Sequence, residues 1–154
     1  MAIIKLNLPE YKFRIREIDH KKKIFDRFRK KFVSLTPEEW VRQNFLMYLT
    51  LEKNYPQSLI AIEAGLQLYK RKKRTDIVVY NNTGKPVLIV ECKAPEVKLS
   101  QDVFDQIARY NMALQVNYLI VTNGLEHYCC LLDYKNNSYR FLKEIPEFQN
   151  IFYY

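Results

Sequence analysis

Glycine is scarce in this 154-residue chain: there are three, Gly65, Gly84 and Gly124. Their wide spacing excludes both a GxxxxGK[ST] phosphate loop and a GxGxxG dinucleotide-binding turn. Nucleotide-driven motors and dinucleotide-dependent redox enzymes are therefore excluded, and no nucleotide partner is expected. Cysteine is equally sparse. Cys92 and the adjacent Cys129 and Cys130 form no CxxC pair, so neither a disulfide framework nor a zinc site is expected. Two histidines, His20 and His127, are too few for a His-based metal site, and no motif supports a His-Ser or His-Cys nucleophile. No apolar run approaches the roughly 18 residues of a membrane span. The opening MAIIKLNLPEYKFR lacks the apolar core and small-residue cleavage site of a signal peptide. The expectation is a cytoplasmic protein in a reducing compartment, with no membrane partner.

What is present is charge of one sign. Lys and Arg number 25 against 17 Asp and Glu, a net charge of +8, within a composition that is 48% hydrophobic. That balance belongs to a globular protein. A chain of this length buries about two-thirds of its unfolded surface and needs no metal or disulfide to fold. The basic residues cluster at Lys21-Lys22-Lys23, Arg29-Lys30-Lys31 and Lys70-Arg71-Lys72-Lys73-Arg74. A polyanion is the natural partner for such clusters, and a solvated, solubilising surface is the plainer alternative. Charge does not distinguish DNA from RNA.

No repeat, low-complexity stretch or linker divides the chain, which reads as one domain over 1–154. Residues 11–17 alternate apolar and charged like a half-exposed strand, and 24–35 is ambiguous between strand and irregular structure. Thr36-Pro-Glu-Glu39 predicts a helix start: Thr36 as N-cap, Pro37 in the first turn, Glu39 as capping-box acid, and Leu35 with Trp40 as a hydrophobic staple. That helix is expected to run to about Lys53, burying Val41, Phe45, Tyr48 and Leu49, before Tyr55-Pro56 ends it. Strands are expected over 59–69, 75–81 and 87–93. A second helix capped by Ser100 follows, with Val103, Ile107 and Leu114 inward, then strands at 117–122, 127–134 and near 139–142. A last helical turn is expected after Pro146. The order implies an α/β or α+β fold, a sheet with helices packed on it.

Two strands carry the chemistry: Asp76-Ile-Val-Val-Tyr80 and Val87-Leu-Ile-Val-Glu91-Cys-Lys93. A two-residue turn at Thr83-Gly84 would set Asp76 directly opposite Glu91, with Cβ atoms about 5 Å apart. Like charges so placed repel unless something neutralises them. A divalent cation does this, and Mg²⁺ typically takes one or two carboxylates plus waters and substrate phosphates. Lys93, two residues beyond Glu91, shares its face and can orient a metal-bound water or offset charge developing on a phosphate. The Cys92 backbone carbonyl at the same edge is a further candidate ligand. The alternative is an ordinary hairpin with a Glu-Lys pair at the sheet edge.

Five segments in this order resemble a known family: Thr36-Pro-Glu-Glu-Trp-Val-Arg-Gln43, Arg74-Thr-Asp-Ile-Val-Val-Tyr80, Glu91-Cys-Lys-Ala-Pro95, Gln106-Ile-Ala-Arg-Tyr-Asn111 and Thr122-Asn-Gly124. Together, over about Phe25 to Tyr134, they are similar to the N-terminal nuclease domain of type I restriction enzyme R subunits, within the PD-(D/E)xK nuclease superfamily. The resemblance implies a restriction-endonuclease-like mixed sheet flanked by helices. It implies Asp76 and Glu91 as metal ligands for Mg²⁺ (Mn²⁺ as substitute), Lys93 as catalytic lysine, and Gln106 and Tyr110 as a QxxxY element. The i, i+4 spacing of that pair independently puts both on one helix face beside Arg109.

The resemblance also implies an acid from the first helix near the site. Glu39 is the better match, although its capping role is already sufficient. Glu63 is either a further acid in the site or an exposed strand residue. Lys70, Arg71, Lys72, Lys73, Arg74 and Arg109 are the candidate DNA contacts. The residue before Asp76 is threonine rather than proline. The R subunit carries a helicase motor behind its nuclease, for which this chain has no room. The expectation is a DNA phosphodiester hydrolase without its motor, working as a homodimer or with separate motor and specificity subunits. A DNA-binding module or accessory subunit that keeps the fold without cutting alone is the alternative.

Overall fold

The computed structural model describes residues 3–62, 76–112 and 114–151, together with the backbone of 65–68 and 71–74. Glu63 and Lys70, and the side chains of Arg71 to Arg74, lie outside the described residues. The elements are β1 (Ile15–Ile18), β2 (Lys21–Asp26), β3 (Lys31–Ser34), α1 (Pro37–Leu51), β4 (Ile60–Ile62), β5 (Gly65–Leu68), β6 (Arg71–Arg74), β7 (Ile77–Tyr80), β8 (Pro86–Cys92), α2 (Gln101–Met112), β9 (Tyr118–Thr122), β10 (His127–Asp133) and β11 (Ser138–Leu142). A 3₁₀ turn at Phe148–Asn150 closes the tail, as expected after Pro146.

The fold is α+β. A six-stranded mixed sheet runs β11-β10-β9-β8-β7-β4, beside a three-stranded sheet β1-β2-β3 and a two-stranded ribbon β5-β6. Among the described strands of the large sheet only β8 and β9 pair in parallel, because α2 carries the chain back between them. The continuous apolar run Val87 to Val90 suits a central strand covered on both faces. Ile77, Val79, Leu88 and Val90 pack with Val41, Phe45, Leu46 and Leu49 of α1. Val78, Ile89, Leu119 and Val121 form the other core with Phe104 and Ala108 of α2.

Several expectations shift in the structure. The ambiguous 24–35 segment is a hairpin, with Ile24 opposite Val33 and Phe25 opposite Phe32. The expected strand over 59–69 divides into β4, which joins the large sheet, and β5, which pairs with the basic run as β6. Helix α2 turns Phe104, Ala108 and Asn111 to the interior, leaving Val103 and Ile107 half-buried. The reason is aromatic: Phe104 packs on Tyr128, Tyr139 and Phe141, which fixes the rotation of the helix.

Thr36 caps α1 as expected, its Oγ1 accepting the Glu39 N–H at 3.0 Å. The capping box does not form. The Thr36 N–H donates to the Ser34 carbonyl at 3.1 Å, and the Glu39 carboxylate turns inward to a set of cations.

Candidate active site

The ladder of β7 and β8 sets Ile77 against Val90 and Val79 against Leu88, so one further step toward the N-terminus brings Asp76 to the level of Glu91. The turn that achieves this is not the expected one. The Asn81 N–H donates to the Lys85 carbonyl, and the Gly84 N–H to the Asn81 carbonyl, enclosing a three-residue turn. Gly84 adopts φ +82, and a Cβ there would meet nothing within 4 Å, so backbone handedness alone calls for glycine. That turn by itself would slide the register by one. A bulge between Val79 and Tyr80, with Val87 the extra residue on β8, restores it.

Strand alternation does the rest. Cys92, 1% exposed, points into the α1-side core, so Glu91 and Lys93 on either side of it project toward α2. There Glu91, Lys93, Gln106 and Tyr110 line one pocket of about 400 Å³, with Val103 and Ile107 at its apolar side. The rotation of α2 is what aims these residues, since burying Phe104 and Ala108 leaves 103, 106, 107 and 110 on the flank. Tyr110 is 58% exposed, and Gln106 and Arg109 are exposed beside it. Burial pushes the Cys92 thiol well above its usual range, and the nearby Asp76 carboxylate adds to the shift.

Asp76 does not line that pocket. Its Oδ2 accepts the Cys92 N–H at 2.8 Å, in the place a continuing strand would occupy, and its Oδ1 accepts from Arg42 Nη2 at 2.7 Å. Arg42 is the residue that sequence reasoning passed over. From α1 its Nη1 also donates to Glu39 Oε1 at 2.6 Å, and that oxygen takes Arg29 Nη2 at 3.0 Å, while Gln43 Nε2 donates to Glu39 Oε2 at 2.9 Å. Arg29 is in turn paired with the buried Asp26. A chain of charge thus runs Asp26–Arg29–Glu39–Arg42–Asp76, tying the β2–β3 hairpin to the end of the sheet. The signal was available: Glu38 and Glu39 lie four and three residues before Arg42, a spacing that stacks them on one helix face. Burial, then repulsion from Asp76, holds the Glu38 carboxyl above its usual value, against the pull of Arg42 and Lys93.

Strand geometry and a helix crossover together define an α+β protein in which Glu91 and Lys93 at the carboxyl end of β8 meet Gln106 and Tyr110 of α2, with Asp76 held beside them at the start of β7 by Arg42 and the Cys92 N–H. The chain belongs to the family described as type I restriction enzyme R protein N terminus, whose model matches residues 37–146. Among solved structures it is similar in fold to a fragment of a putative HsdR subunit of a type I restriction enzyme from Vibrio vulnificus YJ016, at 18% identity and a TM-score of 0.54. That match covers 76% of this chain and 24% of the other, so the chain spans about a quarter of that fragment's length. No curated protein matches the chain. No helix among the described residues is long and apolar enough to cross a membrane.

Proposed function

We propose that the chain is a metal-dependent nuclease domain that hydrolyses DNA phosphodiester bonds at the carboxyl end of β8. One observation carries the reading: Glu91, Lys93, Gln106 and Tyr110 share a pocket, and Asp76 sits at the level of Glu91 across the β7–β8 ladder. Membership of the restriction R-protein family supports it, as does the +8 net charge.

The donors suit Mg²⁺, with Mn²⁺ as substitute. Among the described residues each Asp76 oxygen accepts one hydrogen bond, from Arg42 or the Cys92 N–H, and an ionised carboxylate has about four acceptor sites, which leaves room for an ion. Asp76 and Glu91 would hold the ion, with the Cys92 carbonyl, water and phosphate oxygens completing a shell that needs only one or two carboxylates. Among the described residues no three His, Cys, Asp or Glu side chains group as a metal cluster. The ion would polarise the phosphate and acidify a bound water. Lys93 offsets charge developing on the phosphate, and Gln106 and Tyr110 donate to its oxygens. Glu39, held by Arg29, Arg42 and Gln43, fixes Arg42 rather than ligating the ion. Lys70, Arg71, Lys72, Lys73, Arg74 and Arg109 hold the DNA backbone. The setting is cytoplasmic, as a homodimer or with separate motor and specificity subunits.

A second reading, a DNA-binding module that does not cut unaided, is favoured by the Arg42 contact, since a guanidinium already neutralises Asp76. Incubation with supercoiled, linear, single-stranded and branched DNA in Mg²⁺ or Mn²⁺ separates the two. Cutting that is lost in Lys93→Ala supports the nuclease. Wild-type binding without cutting on every form supports the module.

A further inference from the structure

The Lys21-Lys22-Lys23 run is divided by strand alternation, and the division builds a surface. The register sets Arg16 against Lys23, and Lys23 against Ser34. Ile18 faces Lys21, and Phe25 faces Phe32, with the Phe25 N–H donating to the Arg14 carbonyl. One face of β1-β2-β3 therefore carries Arg14, Arg16, Lys21, Lys23, Phe25 and Phe32. Lys22 falls on the opposite face with Glu17, where Ile24 and Asp26 are fully buried against the body. The outward face holds four cations, and its register positions include no acid.

Its cations are seated on aromatic rings. The Arg14 guanidinium carbon lies 5.0 Å from the Phe25 centroid and 5.6 Å from that of Phe32, and Arg16 lies 5.0 Å from Phe32. Phe25 and Phe32 pack edge to face at 5.2 Å. Lys23 Nζ reaches Ser34 Oγ at 3.3 Å. A guanidinium resting on a ring loses less freedom when it binds, because its apolar face is already covered and its N–H edge stays in water. Two arginines two residues apart on a strand present those edges about 7 Å apart in one direction. Such a row suits a repeating anion.

We propose that the outward face of β1-β2-β3 is a DNA-backbone contact surface, separate from the β8 pocket, in which Arg14, Arg16, Lys21 and Lys23 take phosphates. It rests on DNA being the ligand, as in the reading above, but not on the chain cutting it. The ion-pair chain from Asp26 to Asp76 links this hairpin to the pocket end of the sheet.

The test measures Kd for a fluorescein-labelled duplex across a salt series. It compares wild type, Arg14→Ala/Arg16→Ala, Lys21→Ala/Lys23→Ala, and a charge-matched control, Lys135→Ala/Lys143→Ala, at exposed sites flanking β11. Each lost phosphate contact lowers the log–log salt slope by about 0.9 on duplex DNA. The expected result is a slope reduced by about 1.8 in each face variant and nearly unchanged in the control. All the substituted cations but the half-buried Lys23 are exposed, so melting curves are expected to stay close to wild type. Equal weakening in the face variants and the control would overturn the surface, as would face variants that bind like wild type or a wild type that binds no duplex. Cleavage assayed on the same proteins keeps the two readings apart. Cutting without dependence on this face sinks the surface alone, and face-dependent binding without cutting sinks the nuclease alone.

Discussion

Arg42 Nη2 and Asp76 Oδ1 lie 2.7 Å apart, joining the first helix to the end of the central sheet through a pair whose side chains are 7% and 13% exposed. The Asp76 pair and the Glu39 pair hold the guanidinium in its charged form against the cost of its burial. Breaking such a pair from one side leaves buried carboxylates without their cation, at a cost of about 3–5 kcal/mol.

Arg42→Met is therefore expected to lower the melting temperature by about 10 °C, at 2–4 °C per kcal/mol for a chain of this size. It also frees the second Asp76 oxygen, so the gain in melting temperature from millimolar Mg²⁺ is expected to be larger in the variant than in wild type. A variant that melts like wild type removes the ion-pair chain as a structural element. An equal Mg²⁺ gain in both proteins shows that Arg42 does not compete with the ion.

For the metal itself, Mg²⁺ at about 100 times its Kd is expected to stabilise the native protein by about 2.7 kcal/mol, or roughly 5–10 °C. Asp76→Asn keeps an oxygen for the Cys92 N–H but loses the charge, and its Mg²⁺ response is expected to vanish. Calorimetry with and without the ion decides it, and an undiminished response in Asp76→Asn removes Asp76 from the ligand set.

Lys93→Ala is expected to reduce cutting by about 100-fold or more, as loss of one group stabilising the transition state does. DNA affinity is expected to stay near wild type, because one of 25 basic residues is lost. A half-buried Lys93 that serves only as an ion pair would cost about 0–1 kcal/mol of stability and no activity. Rates, affinity and melting measured on one preparation separate these outcomes, and a wild-type cutting rate removes the catalytic role.

Burial holds His127 below its usual 6.5, against the opposing pull of its bond to the Asn7 carbonyl. The native state thus prefers the neutral ring. Its contribution to stability is fully present above pH 6.5 and is lost as pH falls below that value, where the unfolded chain takes up the proton first. Between pH 7.5 and 5.5 the melting temperature is expected to fall more steeply in wild type than in His127→Gln. Parallel slopes would show that the ring does not titrate in this window.

Much of this protein is determined by its sequence alone, and for local reasons. Thr36-Pro37 starts α1 because a hydroxyl cap and a fixed φ act within one turn. The apolar run before Glu91 makes a central strand, and Glu91 and Lys93 share a face because alternation has a period of two. The level of Asp76 with Glu91 was also expected, yet it arises differently, from a three-residue turn offset by a bulge, which pairing across two strands had to settle.

Tertiary structure alone decided where each face looks and which charges meet. The α2 rotation depends on Phe104 finding Tyr128, Tyr139 and Phe141 on β10 and β11, which are distant in sequence. Arg42 meets Asp76 across 34 positions, a contact without local periodicity, and only there does Glu39 become part of an ion-pair chain rather than a helix cap. Local rules fix the elements because their interactions lie within a few residues. The ion-pair chain required the assembled core, because a buried charge is tolerated only where a partner from another element completes it.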